Sequence, residues 1–517
     1  MSKFYIGIDF GTTNTSVAYM AYRSSINGYV PENFNLFSSG YTCKTVIGYY
    51  NEKDYCIGDI AVRNSTDKCR DNFIKSIKRH IIEGNKLELS VQKTYKDIVT
   101  DYLRAIKEEI SRKIPEGKSI DGVAMGIPIG FEERNKNLFL QALHEAGYYN
   151  SLVDAEKDTI FVSEPIAALL DYNESLNKDQ TAMVFDFGGG TMDIVVMELK
   201  NVNSRNEIEP HEVLAKGGCQ TIGGDDIDKA ILEDIVVDKI GGVKKLKEAL
   251  GINLLEDIYK SPDGIGLMDL IRNTKEELSK TKLSYINGYI GNKHIDIEIT
   301  RDELEVILKR KFVPRIITEI DKVLSDANDG YGINPQKIDI VVMAGGSSLI
   351  PCIQRALEEK FGYKKVKIHE DAVTTISRGL AIRGHDYDES KFNDIIEHEY
   401  SIKITEADGT KDVIEPVIPK NSKIKVINGG KYKTPFAIKE EVINKNIFSI
   451  EIYEDDKRVG KAAIPINSVH IMDNCFELKF VIDENLERIE IKVYQKSTGK
   501  ELLIPIENRY VTIRKLL

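Results

Sequence analysis

The chain has 517 residues, of which 42% are hydrophobic and 30% charged, and its 71 Lys and Arg against 82 Asp and Glu give a formal net charge of −11. At roughly 100–200 residues per domain this is enough for two to four domains with buried cores, and it is too apolar for a disordered chain. The acidic balance offers no basic face to a phosphate backbone, which argues against nucleic acid as the main partner. Asp9 interrupts the stretch where a secretion signal would be apolar, and no window approaches the ~18 uninterrupted apolar residues of a membrane helix. The expected setting is therefore cytoplasmic, with no membrane partner. Cys43, Cys56, Cys69, Cys219, Cys352 and Cys475 are scattered without a C-x-x-C pair. That spacing reads as reduced thiols, mostly core filler, and argues against a zinc or disulfide role.

In chain order, residues 4–10 read as a strand, Gly11-Thr12-Thr13 as a turn and 15–22 as a returning strand. Ile98, Tyr102, Leu103, Ile106 and Ile110 make the apolar stripe of a helix over 97–113. A short buried strand over 123–127 ends at Pro128. Strands over 183–187 and 194–199 flank a second Gly-rich turn. Helical patterns follow at 226–240, 268–282 and 302–324. An apolar strand over 338–344 leads through Gly345-Gly346-Ser347 into a helix at 350–361. This alternation predicts layered α/β architecture. Around GHDYDE at 384–389 the pattern turns polar and acidic, which predicts a linker over 387–396. Short runs at 401–405, 423–427, 447–453, 476–482, 489–494 and 502–506, separated by turn signals, then predict an all-β domain over 397–517.

An internal repeat carries the functional reading. Ile8-Asp9-Phe10-Gly11-Thr12-Thr13-Asn14 parallels Phe185-Asp186-Phe187-Gly188-Gly189-Gly190-Thr191, with Asp9 and Asp186 in register. One such turn is an ordinary hairpin, whereas two predict similar lobes facing each other across a cleft. Turns rich in Gly and Thr present successive N–H groups and hydroxyls to a phosphate. Two carboxylates beside a triphosphate require a divalent cation between them, and Mg²⁺ sits among phosphate oxygens, waters and one or two carboxylates. Gly345, Gly346 and Ser347, between strand and helix, suit the α-phosphate and ribose side. Neither G-x-x-x-x-G-K-[ST] nor G-x-G-x-x-G occurs at these turns, which disfavours P-loop and dinucleotide folds.

These motifs carry a resemblance. GIDFGTTNT resembles the first phosphate motif of the heat shock protein 70 family, VFDFGGGTMDIVV its second and VVMAGGSSLIPCIQ its adenosine motif. SEPIAALLDY is similar to the helix joining the lobes, and IGGDDID and EELSKTKLS match further positions. PVIPKNSKI and FVIDENLERIEIKVYQKSTGK are similar to the peptide-binding β-domain. The likeness covers nearly the whole chain. It implies a two-lobed actin-like ATPase domain over 1–386, the linker, and a β-sandwich over 397–517.

The resemblance also implies residue roles. Thr12, Thr13 and Asn14 would contact the β- and γ-phosphates, with Gly11, Gly188, Gly189, Gly190 and Gly224 lining the nucleotide. Asp9 and Asp186 would hold Mg²⁺ through its waters, Glu164 would order the site, and Lys78 would orient the attacking water. Thr191 and Asp193 would position water or a monovalent cation, K⁺. Glu277, Lys280 and Ser284 would bind ribose and adenine, and Asp371 would lie at the back of the nucleoside pocket. Pro128 matches the proline that couples nucleotide state to the β-domain. Taken singly, Lys78 beside Lys75 and Arg79 reads as solvated surface, and Glu164 as a helix-start residue. Their register in the motifs favours the site roles.

The sequence departs from the family pattern in three places. Leu349 stands where a basic residue stacks on adenine, and Thr281 replaces the position opposite, so weaker or less adenine-selective binding is expected. The leucine-rich linker is reduced to Ile395-Ile396, which puts interdomain coupling in question. The chain stops soon after the last strand, where the family places a helical lid, so a lidless member with rapid peptide exchange is expected. The leading reading is an ATP-dependent chaperone-like protein binding unfolded or extended apolar peptides, with J-domain and nucleotide-exchange co-chaperones as implied partners. The alternative is a nucleotide-gated scaffold or assembly protein with one dedicated partner.

Overall fold

The computed structural model describes residues 3–37, 40–65, 68–87, 89–173, 179–200, 211–259, 261–290, 293–368, 372–385, 392–396, 398–405, 412–430, 433–437, 447–465, 475–483, 485, 488–495, 501–502 and 506–508. Strands β1 (Tyr5–Phe10), β2 (Asn14–Arg23), β3 (Gly28–Asn33), β4 (Gly122–Ile127) and β5 (Thr159–Ser163) form a sheet in the order β3-β2-β1-β4-β5, to which Thr42–Lys44 adds a short strand on β2. Strands β6 (Gln180–Phe187), β7 (Met192–Leu199), β8 (His211–Cys219), β9 (Ile340–Ala344) and β10 (Val366–Ile368) repeat that order as β8-β7-β6-β9-β10. In each sheet the first two strands are an antiparallel hairpin and the first runs parallel to the fourth. Asp9 pairs with Ser16, and Asp186 with Asp193, at equivalent rungs. The repeat seen as a short motif is therefore a repeat of an entire sheet.

The helices that build the site are α1 (Ile77–Glu83), α2 (Tyr95–Ser111), α3 (Glu164–Asn173), α4 (Gly224–Ile231), α5 (Pro262–Leu278) and α6 (Thr375–His385). Every residue of β1 and β4 is buried, as expected for strands covered on both faces. One face of the first sheet packs on the predicted stripe of α2, in a core containing Ile8, Phe10, Tyr102, Ile106 and Phe139. Helix α2 begins at Tyr95, two residues earlier than predicted, because Thr94 and Asp97 form a reciprocal capping box. The second sheet has its own core around Phe185, Met343 and Ile320. Between the sheets lies a third layer, with Ala124 and Val162 from one, Val184 and Val342 from the other, and Ala167, Leu169 and Leu380 from α3 and α6. There α3 and α6 cross in backbone contact: a Cβ at Gly379 would lie 1.7 Å from the Ala167 carbonyl oxygen.

Three predictions shift against the structure. Helix α5 starts six residues before the predicted 268, at Pro262, because the Ser261 hydroxyl accepts from the Gly264 N–H and caps it. Leu283–Ile290 and Lys293–Thr300 form an antiparallel hairpin that the sequence reading missed. The predicted strand over 423–427 is instead a helix, Ile424–Asn428. Ile424 and Ile427 are buried at helical spacing, and the Asn428 side chain donates to the Ile482 carbonyl (2.9 Å) and accepts from its N–H (2.7 Å).

The C-terminal strands form two antiparallel sheets. One has the order Asp412–Ile418, Tyr400–Thr405, Ile447–Glu454, Lys457–Pro465, Ile506–Asn508; the other has Lys433–Ala437, Cys475–Asp483, Arg488–Gln495, Glu501–Leu502. Part of the predicted strand at 502–506 falls outside the described residues. Within the stretch expected to be a linker, residues 392–396 are packed. Strand β11 (Phe392–Asn393) runs parallel to the start of β8, pairing with His211 and Glu212. Ile395 is buried in the layer between the sheets, and Asp394 meets the buried Lys216 ammonium at 2.7 Å. Further bonds tie the C-terminal region to the first part: Phe161 N–H to Asn485 O (2.8 Å), Lys423 to Glu212 (3.0 Å) and Lys457 to Glu132 (3.2 Å).

His211 sits at this junction. Its Nδ1 accepts from the Lys200 N–H at 3.0 Å, which requires the neutral ring, and burial pushes its pKa down from 6.5 to about 4. The folded protein keeps His211 neutral while the unfolded chain takes up a proton below 6.5, so stability falls as pH drops through that interval. We expect a loss of about 3 kcal/mol from this group between neutral pH and the lower value. Denaturant unfolding of the wild type and His211→Gln across that range measures it, and parallel pH profiles would contradict it.

Candidate active site

The two duplicated turns meet. Gly11 N–H closes the first on the Asn14 carbonyl (3.1 Å), and Gly188 N–H closes the second on that of Thr191 (3.0 Å). A Cβ at Gly189 would lie 2.2 Å from the Thr13 hydroxyl, and one at Gly190 2.7 Å from the Thr12 hydroxyl. Glycine is required here because the opposing turn occupies the space of a side chain. A third loop closes the corner: Gly345 adopts φ +76°, and the Ser347 hydroxyl donates to the Gly188 carbonyl (2.8 Å). Gly224 N–H donates to that same carbonyl (3.0 Å), and Lys275 Nζ donates to Gly224 O (2.8 Å).

These loops bound a cavity of about 470 Å³. Of the residues named from sequence, Asp9, Gly11, Thr12, Thr13, Asn14, Lys78, Glu164, Asp186, Gly188, Gly189, Thr191, Lys280, Gly345, Gly346 and Ser347 line it. Asp193 lies behind the wall, buried, with Oδ1 accepting from the Ile129 N–H at 3.1 Å. Gly190 and Gly224 pack against wall residues. Glu277 and Ser284 do not line the cavity; the Ser284 hydroxyl donates to Glu277 Oε2 at 2.6 Å. Asp371 lies outside the described residues. Asp225, Arg272, Lys275, Glu276 and Ser279 also line it without a role assigned from sequence, as does the apolar wall of Ile350, Ala372, Val373 and Ile376 beside Leu349. Arg272, Lys275 and Glu276 share one face of α5 at helical spacing and Ser279 caps its end on the same side, so a helix period traced back from Lys280 would have found them.

The floor of the cavity is acidic and buried. Asp9, Glu164, Asp186 and Asp193 surround Lys78, which pairs with Glu164. Burial, and then the charge of Glu164, raise Asp9, Asp186 and Asp193 well above the ordinary aspartate value. Burial alone would lower Lys78, but Glu164 and Asp9 hold its ammonium above its usual value. Glu164, Asp186 and Asp193 each offer an oxygen within 4.8 Å of the others. Among the described residues, the buried Oδ1 of Asp186 and Oδ2 of Asp193 have no hydrogen-bond partner. Four carboxylates around one ammonium, with acceptors left over, fit a hard divalent cation.

Polar bonds span the mouth. The Ser76 hydroxyl donates to Asp225 at 2.7 Å, and the Arg79 guanidinium takes both oxygens of Asp226 at 2.9 and 3.0 Å, joining α1 to α4. From α5, Arg272 reaches Asp225 (3.0 Å) and Lys275 reaches Asp228 (2.7 Å).

Compared with known protein families, the chain matches the family model described as Hsp70 protein over residues 94–512. The chain belongs to the Hsp70 family. Members of the Hsp70 family are ATPases that bind ATP or ADP with Mg²⁺, and the family implies an actin-like ATPase fold with a β-sandwich. The mixed α/β sheets and the acidic floor accord with this. The match to the Hsp70 family begins after the first turn and α1, so the positions of Asp9, Thr13 and Lys78 rest on the geometry above. Among the described residues no helix is long and apolar enough to cross a membrane.

Gly189→Ala places a methyl group against Thr13 and forces the turns apart. Affinity for ADP is expected to fall at least about tenfold, roughly 1.4 kcal/mol, by titration calorimetry. Wild-type affinity would show that the turns do not meet around the nucleotide.

Proposed function

We propose that the protein is an ATP-driven chaperone whose two-lobed region, residues 1–386, hydrolyses ATP and biases peptide binding by the β-domain over 397–517. The observation that carries this reading is the meeting of the duplicated turns above a buried floor containing one ammonium. Thr12, Thr13 and Asn14 from one turn, and the N–H groups around Gly188 and Gly189 from the other, would hold the phosphates. Mg²⁺, when bound, supplies positive charge to the phosphate oxygens; Asp9 and Asp186 would hold it through water, with Glu164 and Asp193 beside them. Lys78 would orient the attacking water and stabilise charge developing on the γ-phosphate, while Glu164 keeps the ammonium charged and in place. Lys280, Glu276 and Ser279 face the ribose side. Leu349, Ile350, Ala372 and Val373 would hold the base by apolar contact.

Coupling to the β-domain is supported by two sets of contacts. Strand β8 carries β11 on its edge near His211 and leads at its other end to Gly224 at the cavity. Asp193 is bonded to Ile129, Gln220 donates to the Ile129 (2.8 Å) and Gly130 (3.1 Å) carbonyls, and Gly130 packs toward His398. These follow Pro128, so a shift at the γ-phosphate has a physical route to the β-domain. The β-domain would hold an extended segment by backbone hydrogen bonds with a pocket for an apolar side chain.

Lys78→Ala should lower single-turnover ATP hydrolysis at least about tenfold, roughly 1.4 kcal/mol of barrier, with nucleotide binding retained. Unchanged turnover would remove Lys78 from the chemistry. A peptide array probed with ATP or ADP present should show nucleotide-dependent binding to many apolar heptamers. Binding to a single protein instead would favour the dedicated scaffold.

A further inference from the structure

Two thiols far from any C-x-x-C spacing come together on the small sheet formed by Tyr55–Ile57, Ile47–Tyr49 and Phe73–Ile74. Cys56 lies in the first of these strands, and Cys69 just before the turn Arg70–Asn72. Their Sγ atoms are 3.9 Å apart. Gly48 makes the room. It is the ladder partner of Cys56, and a Cβ there would lie 2.8 Å from Cys69 Cβ and 3.0 Å from its Sγ. Cys69 thus fills the space of a side chain opposite Cys56, the position from which cross-strand pairs touch.

We propose that Cys56 and Cys69 form a reversible intramolecular disulfide when the protein meets a low-molecular-weight disulfide. The two thiols are unequal. Cys56 is partly exposed, whereas Cys69 is buried. Burial, then the neighbouring Cys56, push the Cys69 thiol up to about 12, which shields it from direct attack on solvent oxidants. The Cys56 thiolate therefore attacks one sulfur of the small disulfide; that S–S bond breaks, and one small thiolate leaves with the bond electrons. Cys56 then carries a mixed disulfide and no longer opposes a negative charge on Cys69. Cys69 gives its proton to the departing thiolate, attacks Cys56 Sγ and expels the second small thiolate, which takes a proton from water as Cys56 had released one. In sum, two protein thiols lose two electrons and two protons, and one small disulfide becomes two small thiols.

The bond would close the loop carrying the helix Gly58–Asn64. It would also anchor the start of the segment that runs through Phe73–Ile74 to Ser76 and Lys78.

The test uses the reduced full-length chain, incubated with oxidised glutathione, alkylated and weighed intact. Two of the six thiols should escape alkylation, the unalkylated protein should lose the mass of two hydrogens, and a peptide map should join Cys56 to Cys69. Dithiothreitol should reverse all three. Cys69→Ser should stop at a stable glutathione adduct on Cys56, and Cys56→Ser should leave Cys69 unreacted until the protein unfolds. The proposal is overturned if the wild type stops at the Cys56 adduct, pairs either cysteine with another partner, or keeps all its thiols. The wild-type measurement needs no variant, so a folding defect in either Ser substitution leaves it decisive.

Discussion

Close approach to glycine backbone, where no Cβ could fit, governs this molecule at two levels. Where α3 crosses α6, the Ala167 carbonyl occupies the place of any Cβ at Gly379, so the two sheets share one thin layer. Where the hairpin turns meet, the Thr13 and Thr12 hydroxyls occupy the places of Cβ atoms at Gly189 and Gly190. The first contact sets the separation of the lobes, and the second sets the width of the slot between them. A larger residue at either place would have to displace the opposing carbonyl or hydroxyl, because close-packed interiors leave no spare room.

That closeness explains the electrostatics of the floor. Bringing β1 and β6 together buries Asp9 and Asp186 with Glu164, Asp193 and Lys78. Burial, and then the charge of Glu164, hold Asp9, Asp186 and Asp193 above the ordinary aspartate range, and one ammonium cannot neutralise four carboxylates. The cluster is an incomplete charge set in a space shaped by two Gly-rich turns. On the function proposed above, a nucleotide bound with its cation would complete that set.

The junction with the C-terminal region shows a different solution. A buried lysine, Lys216, would be costly if left alone, and Asp394 supplies its partner while Ile395 enters the layer between the sheets. The short apolar remnant that made coupling doubtful from sequence is thus helped by an ion pair and by two residues of parallel ladder. Spacing could not reveal this, because Lys216 and Asp394 lie on separate elements and neither stands out in its own neighbourhood.

The amino-acid sequence by itself determined the repeat and most of the polar residues at the cavity, since each hairpin carries its strand, Asp and turn within a few contiguous residues. It determined helix α2 for the same reason: its apolar stripe is local. Tertiary structure alone decided which face of α5 looks into the cavity, turning Glu276 and Ser279 inward while Glu277 bonds Ser284. It also decided that 424–428 is helical rather than extended, since so short a run of apolar and polar residues satisfies either period until Asn428 finds the Ile482 backbone. The apolar wall from Ala372 to Ile376 and the meeting of Cys56 with Cys69 belong to the same category. The physical reason is common to all of these. Local pattern encodes what a segment buries, but which distant groups fill the space beside it is settled only when the sheets close on one another.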